Sequence, residues 1–314
     1  MTDQKKKEQP TEKPGLHPNN IFRHRYDFPQ LIKSCPELST FVFTNQFGDE
    51  TIEFSDPEAV KMLNKALLVH HYNLNYWDIP SGYLTPPIPG RADYLHHIAE
   101  FIGKKQGQLI KGALFRCLDI GMGASCIYPI VGVKEFGWSF LGTDIDTKAI
   151  RSAQKIVDKN PDLQEKITFR LQNSKKDIFK GIIKKHEFYD LSICNPPFHA
   201  SAAEAQAGNI RKNRNLKKQK VAEAKLNFGG QSNELWCEGG EIQFVRNMIV
   251  QSKHFSHSVR WFSTLISKSA NLKTVYELIK QAGAVHMETI PMSHGNKASR
   301  IVAWTFLPVK DASA

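Results

Sequence analysis

Leu118-Asp119-Ile120-Gly121-Met122-Gly123-Ala124-Ser125 runs from an apolar, strand-like stretch straight into two closely spaced glycines and then into a helical pattern. Gly121 and Gly123 lack Cβ atoms, so the backbone there can turn sharply and approach a ligand. A strand ending in such a turn before a helix predicts an α/β sheet that holds a small molecule at its carboxyl edge. About 20 residues further on, Gly142-Thr143-Asp144-Ile145-Asp146 ends a second strand-like run on an acidic residue, the placing that accepts hydrogen bonds from ribose hydroxyls. The glycine pattern is GxG alone, and no phosphate loop of the GxxxxGK[ST] kind follows. A nucleoside cofactor without a pyrophosphate fits best, which favours S-adenosylmethionine over NAD or ATP. Met122 reads as a packing residue.

Outward from this stretch, apolar runs alternate with helical ones from about residue 96. Strands are expected near Phe115–Ile120, Ser139–Thr143, Ile167–Leu171, Tyr189–Cys194, Val259–Ile266, Ala284–Ile290 and Arg300–Phe306. Helices are expected near Ala124–Phe136, Thr147–Asp158, Glu241–Lys253 and Asn271–Gln281. The last two strands have no helix between them, so they form an antiparallel hairpin: six strands of parallel type and one hairpin strand. Residues 16–95 form a separate N-terminal region, with one helix announced by Asp56 as cap, Pro57 in the first turn, and Val60, Leu63, Leu67 and Leu68 at helical spacing. Residues 1–15 are polar and read as a disordered tail.

The fourth of these strands ends Cys194-Asn195-Pro196-Pro197-Phe198. A residue before proline is pushed towards extended backbone, so Asn195 and Pro196 are both extended and the two rings stiffen the loop. Such a loop can fix the Asn195 side-chain oxygen and the Pro196 carbonyl as two acceptors for the hydrogens of a planar exocyclic amine, with Phe198 as a stacking face. That is what methylating an aromatic amine requires. Its lone pair is delocalised, and rigid acceptors localise it and stabilise the positive charge that develops on nitrogen. Asn195, Pro196, Pro197 and Phe198 are therefore the expected catalytic residues.

The chain has 42 Lys+Arg against 31 Asp+Glu, a formal net charge of +11, which favours a polyanionic partner such as nucleic acid. Its basic residues concentrate in a polar insertion at about 199–238, including Arg211, Lys212, Arg214, Lys217 and Lys218, and in the N-terminal Lys13, His17, Arg23 and Arg25. These are the candidate RNA contacts, positioning phosphates without reading sequence. No run of about 18 apolar residues exists, so no membrane span is expected. Five cysteines, none in a CxxC pair, argue against a disulfide framework or a metal knuckle, and no metal site is expected. The pairs His70-His71 and His96-His97 read as structural. A reduced, cytoplasmic protein is expected.

Together these residues resemble the class I S-adenosylmethionine-dependent methyltransferases with an Asn-Pro-Pro-aromatic loop. More narrowly, the chain is similar to the bacterial large-subunit ribosomal RNA N6-adenine methyltransferases, relatives of the eukaryotic U6 small nuclear RNA adenine methyltransferase. The likeness spans residues 15–308 and includes Leu16-His17-Pro18-Asn19-Asn20, Asp56-Pro57-Glu58-Ala59-Val60, the run from Leu118 to Pro129, Glu238-Gly239-Gly240-Glu241 and Arg300-Ile301-Val302-Ala303-Trp304. It implies a Rossmann-like seven-stranded methyltransferase domain over 96–310 with an N-terminal RNA-binding appendage. It also implies cofactor contacts at Asp119, Gly121, Gly123, Ser125, Asp144 and Ser174, and Arg91 as partner of the methionine carboxylate. The implied partner is 23S rRNA or a large-subunit assembly intermediate. The eukaryotic relatives carry Glu at the position of Asp144 and a long C-terminal extension; here the chain stops just after its last strand, which favours the bacterial activity. A glutamine-N5 protein methyltransferase, which also suits an Asn-Pro-Pro loop, and a non-catalytic RNA-binding scaffold are the alternatives.

Overall fold

The computed structural model describes residues 15–108, 110–204, 232–294 and 297–309. The N-terminal region contributes α1 (Phe28–Ser34), a hairpin of β1 (Val42–Thr44) and β2 (Glu50–Ile52), and α2 (Pro57–Tyr72), followed by α3 (Ile88–Gln106). Then come β3 (Arg116–Ile120), α4 (Ile127–Phe136), β4 (Ser139–Asp144), α5 (Thr147–Asp158), a single turn α6 (Pro161–Gln164), β5 (Ile167–Leu171) and β6 (Tyr189–Cys194). After a short α7 (Ser232–Leu235) the chain closes with α8 (Gly240–Ser252), β7 (Val259–Ile266), α9 (Leu272–Ala282), β8 (His286–His294) and β9 (Lys297–Thr305).

Seven strands form one sheet in the order β5-β4-β3-β6-β7-β9-β8. The strands β3 to β7 pair in parallel, while β9 runs antiparallel to both β7 and β8. The expected hairpin is present, with its returning strand slotted between β7 and β8. Six strands thus point one way and one the other, a Rossmann-like methyltransferase sheet.

Two local differences from the sequence reading have clear causes. The helix expected from Ala124 starts at Ile127, because Gly123 (φ +70°) and Cys126 (φ +54°) hold left-handed backbone that no α-helix accepts. The boundary expected at residue 95 falls inside α3, which runs unbroken through it. The reason is packing: Phe22, Leu31, Leu63, Trp77 and Ile98 share one core cluster with Cys117, Leu191 and Trp261 of the sheet. Burying side chains of this size contributes about 2–3 kcal/mol each, and that ties the N-terminal region to the sheet. No described helix is long and apolar enough to cross a membrane.

Candidate active site

Ile120, the last residue of β3, lies beside Cys194, the last residue of β6. The chain places β4 and β5 on one side of β3, and β6 and β7 on the other. Chain order reverses at this point, so the two loops leaving these strands diverge over a crevice. A cavity of about 920 Å³ opens there, lined by Arg91, Gly121, Gly123, Ser125, Asp144 and Asn195, among others. The glycine loop and the Asn-Pro-Pro loop, 74 positions apart when Gly121 is set against Asn195, become two walls of one pocket.

Gly121 (φ +68°) and Gly123 (φ +70°) make the turn that the sequence anticipated. Met122 is buried as a packing residue, its Sδ filling the space where a Cβ on Gly142 would sit at 2.4 Å. Asp144 accepts the Gly123 N–H at 3.0 Å and the Asp146 N–H at 2.9 Å, one on each oxygen, and so braces the loop. A carboxylate has about four lone-pair sites, so two remain for ribose hydroxyls. Burial raises its pKa, while these N–H donors oppose that rise. Ser125 lines the pocket, and its carbonyl accepts the Trp77 indole N–H at 3.0 Å.

Three buried polar groups here have no partner within the protein: both oxygens of Asp119, the Tyr128 hydroxyl and Asn195 Oδ1. Burial pushes Asp119 well above the usual carboxylate range; the charge of Asp144 adds to this and that of Arg91 opposes it. Unpaired buried groups are costly, and in a native fold they call for an explanation. A ligand bearing an ammonium for Asp119, a carboxylate for Arg91 and a ribose for Asp144 supplies one, and S-adenosylmethionine carries all three. The residues present fit that cofactor.

Other expected site residues fall differently. Ser174 is outside the pocket lining; its Oγ accepts the Lys176 N–H at 3.3 Å, and Gln172, Lys175 and Lys176 of the same loop line the cavity instead. Phe198 is half-buried against the main core cluster and does not line the cavity, whereas Pro197 and Trp236 do. Pro196 is buried in the loop between them. His17 is not an exposed RNA contact: it is 5% exposed, its N–H donates to Asp93 at 2.6 Å and its Nε2 lies 3.1 Å from Glu100. With Asn20, whose amide donates to the Pro89 carbonyl, it clamps the N-terminal segment onto the first turns of α3, where Arg91 sits. His17, His97 and Glu100 are close enough to hold a metal. The Nδ1 of His17, however, accepts the Asn19 N–H, so Nε2 carries the ring proton and donates it to Glu100. Arg23 donates to the Pro18 carbonyl and Arg25 pairs with Asp49 at 3.2 Å. Lys13, Arg211, Lys212, Arg214, Lys217 and Lys218 lie outside the described residues.

Sequence reasoning missed the return segment after the insertion. Glu234 reaches across to accept the Leu84 N–H at 3.1 Å, and its other oxygen lies 3.3 Å from where a Cβ on Gly123 would be. The backbones of His199 and Trp236 bridge in parallel, drawing Trp236 to the catalytic loop. The signal was Glu238-Gly239-Gly240-Glu241. Gly240 (φ +65°) lets the chain pass Ala200 where a Cβ would meet its backbone at 3.2 Å. Glu241 accepts hydrogen bonds from Ser267 and Asn271, fixing α8 to the β7–α9 connection.

Comparison with known proteins agrees with this geometry. The profile of a family described as RNA methyltransferase matches residues 10–308. Ribosomal RNA large subunit methyltransferase F of Cytophaga hutchinsonii is 54% identical over 307 residues, covering 98% of this chain and 95% of the relative. The protein of the same name from Cronobacter sakazakii is 53% identical over 94% of each chain. Among solved structures, the human METTL16 catalytic domain in complex with the MAT2A 3′UTR hairpin 1 superposes with a TM-score of 0.79 at 30% identity, covering 94% of this chain and 97% of that one. The N-terminal domain of human METTL16 in complex with S-adenosylhomocysteine gives 0.73 at 27% identity, covering 93% and 99%. A glycine loop, a ribose-facing acid and an Asn-Pro-Pro loop converge on one crevice, and the family profile spans nearly the whole fold, so this chain belongs to the RNA methyltransferase family and is an S-adenosylmethionine-dependent methyltransferase.

Proposed function

We propose that the protein methylates the exocyclic N6 amine of one adenine in large-subunit ribosomal RNA, as free 23S rRNA or within an assembling particle in the cytoplasm. The observation that carries this reading is Asn195 Oδ1, a buried acceptor with no partner at the mouth of the cofactor cavity. Such an atom suits one hydrogen of an amine brought in from outside, and the Pro196 carbonyl suits the other. Holding both hydrogens draws the nitrogen lone pair out of the ring plane and towards the cofactor. The bound cofactor supplies the electrophilic methyl group. Much of the acceleration then comes from holding amine and methyl in line. A paired adenine hides its amine, so the target must be single-stranded or flipped from its helix. Pro197 and Trp236 offer the base its apolar surface, since Phe198 packs into the core. The names of the bacterial relatives support a large-subunit rRNA substrate, and the net charge of +11 suits a polyanion.

The test is transfer of tritiated methyl from S-adenosylmethionine to protein-free 23S rRNA and to large-subunit precursor particles, followed by nucleoside digestion. Label in N6-methyladenosine from either substrate, absent with Asn195→Ala, is the expected result. Label in another nucleoside, or transfer only to a protein glutamine, overturns the reading.

A further inference from the structure

Tyr128 is the second residue of α4 and is 4% exposed. Its ring packs edge-on against Tyr94 at 5.4 Å, and the Arg91 guanidinium stands over it at 5.5 Å from the ring centre. The side chain lines the cofactor cavity, yet its hydroxyl is buried and makes no hydrogen bond within the protein. A hydroxyl in that state is worse for the fold than a bare phenyl ring, because its hydration is lost and nothing replaces it. Phenylalanine would fill the same space without that cost. The hydroxyl therefore answers to something that is not part of the chain.

Its surroundings define the partner. On one side is Arg91, which has donors only; on the other is Asp119, whose two buried oxygens are also unpaired. A donor hydroxyl beside a guanidinium makes an anion subsite, and an unpaired carboxylate next to it makes a cation subsite. One small group carries both charges at that spacing, the zwitterionic end of an amino acid. We propose that the Tyr128 hydroxyl donates a hydrogen bond to the methionine carboxylate of the cofactor alongside Arg91, while Asp119 receives the ammonium, so that Tyr128 reads the amino-acid end of the ligand. This inference rests on the cofactor assignment and is independent of which RNA is methylated.

The variant Tyr128→Phe tests it in the full chain without RNA. S-adenosylhomocysteine and 5′-methylthioadenosine, which has the nucleoside thioether but no amino-acid end, are titrated calorimetrically against both proteins. A hydrogen bond to a charged partner is worth about tenfold in affinity or somewhat more. The expected result is that Tyr128→Phe weakens S-adenosylhomocysteine by about that factor and leaves 5′-methylthioadenosine unchanged. In the ligand-free variant, the melting temperature holds or rises. Equal weakening of both ligands, unchanged affinity for S-adenosylhomocysteine, or a lowered ligand-free melting temperature overturns the assignment. Failure to methylate ribosomal RNA leaves it untouched.

Discussion

Asp93 in α3 and Asp119 at the end of β3 are each 1% exposed, and they titrate in opposite directions. At Asp93 burial raises the pKa, but contact with His97, the His17 N–H and the Asn20 amide outweigh it and hold the group below its ordinary value. At Asp119 burial acts almost alone and drives the group well above that value, with only Arg91 opposing. One carboxylate is a fastener whose donors come from the chain itself, clamping the N-terminal segment beside Arg91. The other is held ready for a donor from elsewhere. Burial alone does not separate a structural acid from a binding one; the origin of its donors does.

Asn195 belongs with Asp119 on this view, and its removal gives the largest effect. Asn195→Ala deletes one of two acceptors aimed at the developing ammonium, and losing one such preorganised group costs about 10²–10³-fold in kcat. Methyl transfer should fall by that amount while S-adenosylhomocysteine still binds. Turnover within threefold of wild type would take Asn195 out of the mechanism.

The same substitution at the two aspartates should then give opposite results. Asp119→Asn removes the charge that receives the ammonium, and should weaken S-adenosylhomocysteine by about 10–100-fold, as expected for a hydrogen bond to a charged group. It should leave the ligand-free fold as stable or more stable, because an unpaired buried charge is gone. Asp93→Asn should leave cofactor affinity nearly unchanged and lower unfolding stability by about 1–3 kcal/mol, since its donors lose their anion. Urea unfolding and calorimetric titration on both variants decide it; matching signs would end the distinction.

The pH dependence sharpens the contrast further. Asp119 has a folded pKa raised above its ordinary 3.8, so ionising it destabilises the ligand-free protein. Stability from this group falls as pH climbs from 3.8 through the raised value, and the thermal shift given by S-adenosylhomocysteine grows over the same window. Asp93 has a lowered folded pKa, so its contribution is present above 3.8 and is lost as pH falls through that lowered value. A ligand-induced shift that is flat with pH above 3.8, or equally steep in Asp119→Asn, would contradict this account.

The sheet was legible in the sequence because its strands are continuous apolar runs between turn signals. Tyr189–Cys194 and Val259–Ile266 fall on the residues that pattern marks. Gly121, Gly123, Asp144 and Asn195 were legible too, since each follows directly from where a strand ends. Contacts between distant segments were not. His17 reads as a basic residue in a polar stretch until the fold brings it against Asp93, 76 positions away. Tyr128 sits in the apolar run Ile127-Tyr128-Pro129-Ile130-Val131, where periodicity can only report a buried helix. Phe198 follows a motif whose aromatic suggests stacking, but the core behind it takes the ring.

Ser174 gives the smallest expected effect and tests the same rule from the other side. It follows β5, where resemblance suggests a contact near the adenine, yet its donors and acceptors are met locally. Its N–H donates to Gln172 Oε1 at 3.0 Å, and its Oγ accepts the Lys176 N–H at 3.3 Å. A polar group satisfied by its own loop, as Asp93 is by its own clamp, has little left to offer a ligand. Ser174→Ala should therefore change S-adenosylhomocysteine affinity by less than about twofold, with stability within about 0.5 kcal/mol of wild type. A tenfold loss of affinity would mean that the loop rearranges on binding and turns Ser174 inward. Internal satisfaction in the ligand-free fold would then be no guide to which polar groups serve the cofactor.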